Sequence, residues 1–168
     1  MCINIRLEKS SDIQSIHNIT VAAFLDAPHT DHTEQYIVDA LRSSGALSIS
    51  LVAEDPSNIV GHVALSPVSI SSGSTDWYGL GPISVAPTEQ NKGIGSKLMY
   101  AALSALKNIG ANGCVLLGDP NYYRRFGFES VESLVLTEVP PEYFQAILFQ
   151  GTYPSGIVTY HESFSAQG

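Results

Sequence analysis

Residues 3–7, INIRL, alternate apolar and polar side chains, the two-residue period of a strand with one buried face. Ser10, Ser11 and Asp12 then offer helix N-caps, and Ile13, Ile16, Ile19 or Thr20, and Ala23 or Phe24 follow at helical spacing. LDAPHTDHT (25–33) breaks that period with a polar, acidic loop. A second helix is expected from Glu34 to Ser43, stopping near Gly45. LSISLVAE (47–54) and IVGHVALSPVSI (59–70), joined by a DPSN turn, read as a hairpin. WYGLGPISV (77–85) reads as a further strand with Gly79, Gly81 and Pro82 inside it. Proline cannot donate to a ladder, and glycine within a strand marks a bulge or a close approach. This strand is therefore expected to be distorted in its middle, with one edge incompletely paired.

Ile94, Leu98, Ala101, Ala102, Ala105 and Ile109 form the apolar stripe of an amphipathic helix that ends at Gly110. Lys97, Tyr100, Ser104 and Lys107 recur on its polar face. GCVLLG (113–118) reads as a short strand. Asp119 can cap a short helix, Pro120 suits its first position, and Gly127 can close it. FESVESLVL (128–136) reads as a strand, PPEYFQAILF (140–149) as a turn and short helix, and GIVTYHESF (156–164) as a last strand. No repeat or linker interrupts the order, so residues 1–168 are expected to form a single mixed α/β domain.

Composition narrows the classes. A chain of 168 residues with 44% hydrophobic and 14% charged content favours a folded core over disorder. A formal net charge of −8 argues against a nucleic-acid binder. No apolar run is long enough to span a membrane, and no basic flank precedes an apolar stretch at the N-terminus. Cys2 and Cys114 show no metal-type spacing, so no metal is expected and a cytoplasmic setting is the default. Of the eight basic residues, Lys92, Lys97, Arg124 and Arg125 flank two short stretches. If those stretches meet in space, they make a local anion site.

The chemistry concentrates in VAPTEQNKGIGS (85–96), where two glycines stand at the mouth of the long helix. Helix N-termini present free amides and a positive dipole end to anions, and glycine lets the anion approach. A triphosphate loop needs lysine directly after its second glycine, but Ser96 follows Gly95. A dinucleotide fingerprint needs a third glycine three residues on, where Leu98 stands, and an early βα unit.

What remains is Q-x-x-G-x-G, formed by Gln90, Gly93 and Gly95, after a distorted strand and before an amphipathic helix. Together with YYRRFGF (122–128), and with LGP before and LGDP between, it resembles the GNAT acyltransferase superfamily over nearly the whole chain. The resemblance implies that family's fold: a central, mixed, mostly antiparallel sheet flanked by helices, with splayed central strands. It implies a single GNAT domain and transfer of an acetyl group from acetyl-CoA to a primary amine, directly, in a ternary complex. By resemblance, Gln90, Asn91, Lys92, Gly93, Ile94, Gly95 and Ser96 would form the acyl-CoA loop, with the backbone amides from about Lys92 to Ser96 pointing at the pyrophosphate. The strand residues Ile83, Ser84 and Val85 would line the pantetheine arm, with the backbone of Ile83 and Val85 bonding it as an added strand does. Tyr123 matches the family's general acid, and Tyr122 its packing neighbour.

Other roles stay open. WYGLGPISV contains no carboxylate to serve as the base many relatives carry there. His62, Glu34, His29 and His32 are the candidates, with Glu34 and His62 placed on the acceptor side, and a water relay is the alternative. Cys114 reads as a small core residue rather than a nucleophile. Asp26, Asp31, Glu34 and Asp39 share a stretch free of lysine and arginine, which suits a cationic amine on a small molecule or a protein. The competing reading is a non-catalytic acyl-CoA-binding regulatory module. No membrane partner is expected, and the reading leaves room for a homodimer.

Overall fold

The computed structural model describes residues 2–27 and 30–167. Strand β1 (Asn4–Leu7) leads through a 3-10 turn into α1 (Ile13–Phe24), and α2 (Glu34–Ser44) follows. Gly45 ends α2 in the left-handed conformation, with φ 79°, and its amide returns to the helix carbonyls. Then come β2 (Ile49–Glu54), β3 (Ile59–Ile70), β4 (Trp77–Val85) and α3 (Ile94–Asn108). The rest is β5 (Gly113–Leu117), the single turn α4 (Pro120–Tyr123), β6 (Leu134–Val135), β7 (Phe144–Leu148) and β8 (Gly156–Tyr160).

The strands run in the order β1-β2-β3-β4-β5-β7, and β8 pairs with the far end of β3 and with β6. All pairs are antiparallel except β4–β5 and β6–β8. This is the mixed, mostly antiparallel sheet expected. One sheet face packs on α3 through Val63, Leu65, Leu98 and Leu106. The other packs on α1 and α2 through Val52, Ile16 and Val38. Trp77, Val115, Phe144 and Val158 form a further cluster beyond them.

Several expectations fail, and the last strand stops at Tyr160, short of the 156–164 expected, with a 3-10 turn at Glu162–Ser165 after it. PPEYFQAILF was expected to be a turn and short helix; Pro141–Tyr143 makes a 3-10 turn, but Phe144–Leu148 is strand β7, hydrogen-bonded antiparallel to β5. A non-local partner overrides the local preference there. FESVESLVL was expected to be a strand, but only Leu134–Val135 is one, beside an isolated bridge from Glu129 to Ala146. The apolar stripe of α3 is rotated: Met99, Leu103 and Leu106 are buried, whereas Ile109 lies exposed past the helix end. The polar face carrying Lys97, Tyr100, Ser104 and Lys107 is exposed as expected.

The distortion in β4 is real. Val63 faces Ile83 and Leu65 faces Leu80, so β4 spends one more residue than β3 across this step. The extra length falls at Gly81–Pro82, whose peptide bond is cis and whose Gly81 has φ 141°. Beyond it, β4 parts from β5. The two pair only over Trp77–Gly79 and Gly113–Val115, which leaves Leu80–Val85 without a neighbour on that side.

Candidate active site

The parted strands open a groove of about 480 Å³. Its walls come from four places: the free edge of β4, the loop into α3, the end of α1, and the turn around α4. Ile83 and Val85 supply the first wall; Glu89, whose carboxylate faces Lys92, and Gln90, Asn91, Gly93, Ile94, Gly95 and Ser96 supply the second. Ala23 and Phe24 close the third side, and Tyr122, Tyr123 and Arg125 the fourth.

One edge of β4 is left free. Ala86 N–H donates to the Val60 carbonyl on β3 at 2.8 Å. Backbone groups alternate sides along an antiparallel strand, so those of Ser84 also face β3 and those of Ile83 and Val85 face the open edge. Gln90 Nε2 donates to the Val85 carbonyl at 3.1 Å. The motif glutamine thus ties the loop to the strand and closes one of the free edge positions.

The loop ends at Gly93, with φ 83°, as the N-cap of α3. Asn91 is also left-handed, with φ 65°. No side chain caps α3 and no acidic residue sits in its first turn. The amides at Ile94, Gly95 and Ser96 therefore face outward with the positive end of the dipole behind them. The helix is held by packing: each of Leu98, Met99, Leu103 and Leu106 contributes about 1.5–3 kcal/mol on burial. That exceeds the roughly 0.3–1 kcal/mol of a terminal charge interaction, so the helix end can remain open for an anion.

Tyr123 is half-buried beside Tyr122, with ring centroids 4.9 Å apart at 89°. Phe126 and Phe128 flank it. Burial, then the nearby Tyr122 and Asp119, push its hydroxyl up to about 12. The side chain stays protonated at neutral pH. Gly118 explains the fit. A Cβ there would lie 2.4 Å from Tyr123 Cε2. We expect Gly118→Ala to displace the ring and lower turnover by about tenfold, as loss of alignment does. Steady-state kinetics check it, and unchanged turnover would show that the ring has room.

Not every candidate reaches the groove. Ser84 is buried on the α1/α2 face, its Oγ without a hydrogen-bond partner. Lys92 is exposed and turned to Glu89 at 3.5 Å. Glu34 begins α2 and accepts from the Thr30 hydroxyl, away from the groove lining. His32 is exposed, and His29 lies outside the described residues. His62 is fully buried and lines no part of the groove. Its Nε2 bonds Ser50 Oγ at 2.7 Å, and Ser50 in turn donates to Glu8, which Arg42 holds with two bonds. Burial lowers His62 to about 4. That arrangement stitches β1, β2, β3 and α2 together and gives His62 little basicity for an amine proton. Cys114 is fully buried, and burial pushes its thiol up, so it is no nucleophile.

Tyr122, Arg125, Ala23, Phe24 and Glu89 line the groove without having been singled out for it. Arg125 carried a signal in its charge, since the 124–125 stretch was set against the glycine loop. Only Arg125 of the four flanking cations meets that loop in the groove. Among the described residues, no cluster of three or more His, Cys, Asp or Glu is arranged to hold a metal, and no helix is long and apolar enough to cross a membrane.

Residues 4–131 match the model of the acetyltransferase (GNAT) domain. A GNAT family acetyltransferase from Brucella melitensis, solved with acetyl-CoA, is 45% identical, with 97% of this chain and 98% of that one aligned at a TM-score of 0.87. The N-acetyltransferase YhbS of Escherichia coli, solved with CoA, is 31% identical, aligned over 99% of this chain and 93% of that one at a TM-score of 0.90. In sequence, YhbS from strain K12 is 36% identical over 121 residues, which cover 66% of this chain and 72% of YhbS.

Proposed function

The chain belongs to the GNAT acetyltransferase family and is an N-acetyltransferase, and from that premise we propose how its groove performs the transfer. Acetyl-CoA is the donor. Its pyrophosphate lies against the amides of Gly93, Ile94, Gly95 and Ser96, with Asn91 and Gln90 shaping the loop. Its pantetheine arm bonds the exposed backbone of Ile83 and the free amide of Val85 as a short added strand. The carrying observation is the coincidence of a half-paired strand, an uncapped helix end and a protonated tyrosine around one groove.

The neutral amine attacks the thioester carbonyl, and the C–S bond breaks as the tetrahedral adduct collapses. Tyr123 donates a proton to the departing sulfur, giving free CoA, while the amine nitrogen loses one proton to solvent and Tyr123 regains one from it. The low-dielectric groove that raises Tyr123 also raises the basicity of the thiolate, which keeps the two matched. With His62 buried and weakly basic, the amine enters already neutral or loses its proton through water. Transfer is direct, in a ternary complex.

The acceptor is a cationic amine, on a small molecule or a protein, drawn by Asp26, Asp31 and Glu34, with Asp39 partly offset by Arg42 at 3.5 Å. Residues 1–168 act as one unit, in the cytoplasm. Acetyl transfer to a panel of amines, amino acids and peptides, read by mass spectrometry, tests this. Transfer only to neutral acceptors overturns the electrostatic part, and no release of CoA with any acceptor overturns the whole.

A further inference from the structure

Coenzyme A carries phosphate in two places, the diphosphate and the 3′-phosphate of its ribose. The glycine loop accounts for one. Arg125 is the only lysine or arginine among the described residues that lines the groove. It is exposed at the rim, and its position is fixed by two contacts with one neighbour. Nε donates to the Tyr122 carbonyl at 3.0 Å, and the guanidinium carbon stands 4.6 Å from the centre of the Tyr122 ring. The Tyr122 hydroxyl in turn reaches toward α3, 3.2 Å from where a Cβ on Gly95 would stand. Tyr122 is thus a spacer that holds the guanidinium away from the helix end. Among the described residues, no carboxylate pairs with Arg125, and both terminal nitrogens are left to donate.

We propose that Arg125 binds the 3′-phosphate of coenzyme A and makes the donor site discriminate CoA from 3′-dephospho-CoA. The chemistry separates the two phosphate positions. A diphosphate suits a row of backbone amides at a helix end. A terminal monoester presents three oxygens and nearly two charges, which a planar guanidinium meets with paired bonds. Lys92, the nearest alternative in sequence, is turned to Glu89.

The inference rests on CoA being the donor, and calorimetric titration separates the two without needing the acceptor. The native chain should bind CoA about 10–100-fold more tightly than 3′-dephospho-CoA, the worth of a charge-assisted pair. Arg125→Gln should bind CoA only as well as it binds 3′-dephospho-CoA, and Arg125→Lys should keep part of the preference. Pantetheine, with no phosphate, should bind the native chain and Arg125→Gln alike. Equal weakening of CoA and 3′-dephospho-CoA in Arg125→Gln would assign Arg125 to the diphosphate or to propping Tyr122, and overturns the proposal. So does a native chain indifferent to the 3′-phosphate. A native chain that binds neither nucleotide overturns the donor reading itself.

Discussion

Tyr123→Phe should lower turnover by about 10²–10⁴-fold while leaving CoA affinity within about twofold. The ring is held by Tyr122, Phe126 and Phe128, and Phe keeps that packing, so only the proton is removed. Single-turnover acetyl transfer and CoA titration on the same variant separate chemistry from binding. Turnover within threefold of the native chain would falsify the assignment of Tyr123 as the acid. The pH profile adds a second check. A hydroxyl pushed up to about 12 remains protonated far into the alkaline range. The native rate should therefore rise as the acceptor amine loses its proton and hold to roughly pH 11 rather than fall near 10, where free tyrosine titrates.

The second large effect concerns stability. Gly113 opens β5, opposite Trp77 on β4 and Leu148 on β7. A Cβ there would stand 2.4 and 2.5 Å from the Trp77 ring and 2.7 Å from the Ile147 carbonyl. The carbonyl belongs to a ladder and cannot retreat, and Trp77 is 2% exposed. Gly113→Ala should therefore cost about 3 kcal/mol, the upper end for overpacking, and lower Tm by roughly 6–12 °C. Urea unfolding measures it. Adding Trp77→Phe should recover part of the loss, because the two substitutions share one contact. A cost below about 0.5 kcal/mol, as at an ordinary surface site, would show that β4 and β5 slide apart freely here.

How far the sequence carried depends on the kind of signal. Strands β3 and β4 were legible to the residue, because turn residues bracket them and their patterns are long. The distortion of β4 followed from Gly79, Gly81 and Pro82 inside it, and fell at the last two. The loop from Gln90 to Ser96 was legible because its glycines do local work at the N-terminus of α3. Strand β7 was not, because FQAIL carries no alternation and owes its conformation to β5, some thirty residues earlier. Ile109 was misplaced because periodicity does not reveal where a helix leaves the sheet. Ser84 and His62 show a further limit: a sequence names a strand's residues without saying which face meets the groove. Arg125 was visible only as charge, since its role depends on the Tyr122 ring beneath it.

The unpaired length of β4 has one more consequence. A strand edge that welcomes one extended chain welcomes others, and open edges are where sheets recruit foreign strands and aggregate. The molecule keeps its exposure small. Pairing with β5 closes the edge as far as Gly79, and Gln90 occupies the carbonyl of Val85. Between them lies a slot bent at Gly81–Pro82 and walled by α1 and the α4 turn. The slot suits the narrow pantetheine arm proposed for it; a second polypeptide, with a side chain at every residue, has no length of straight edge on which to extend.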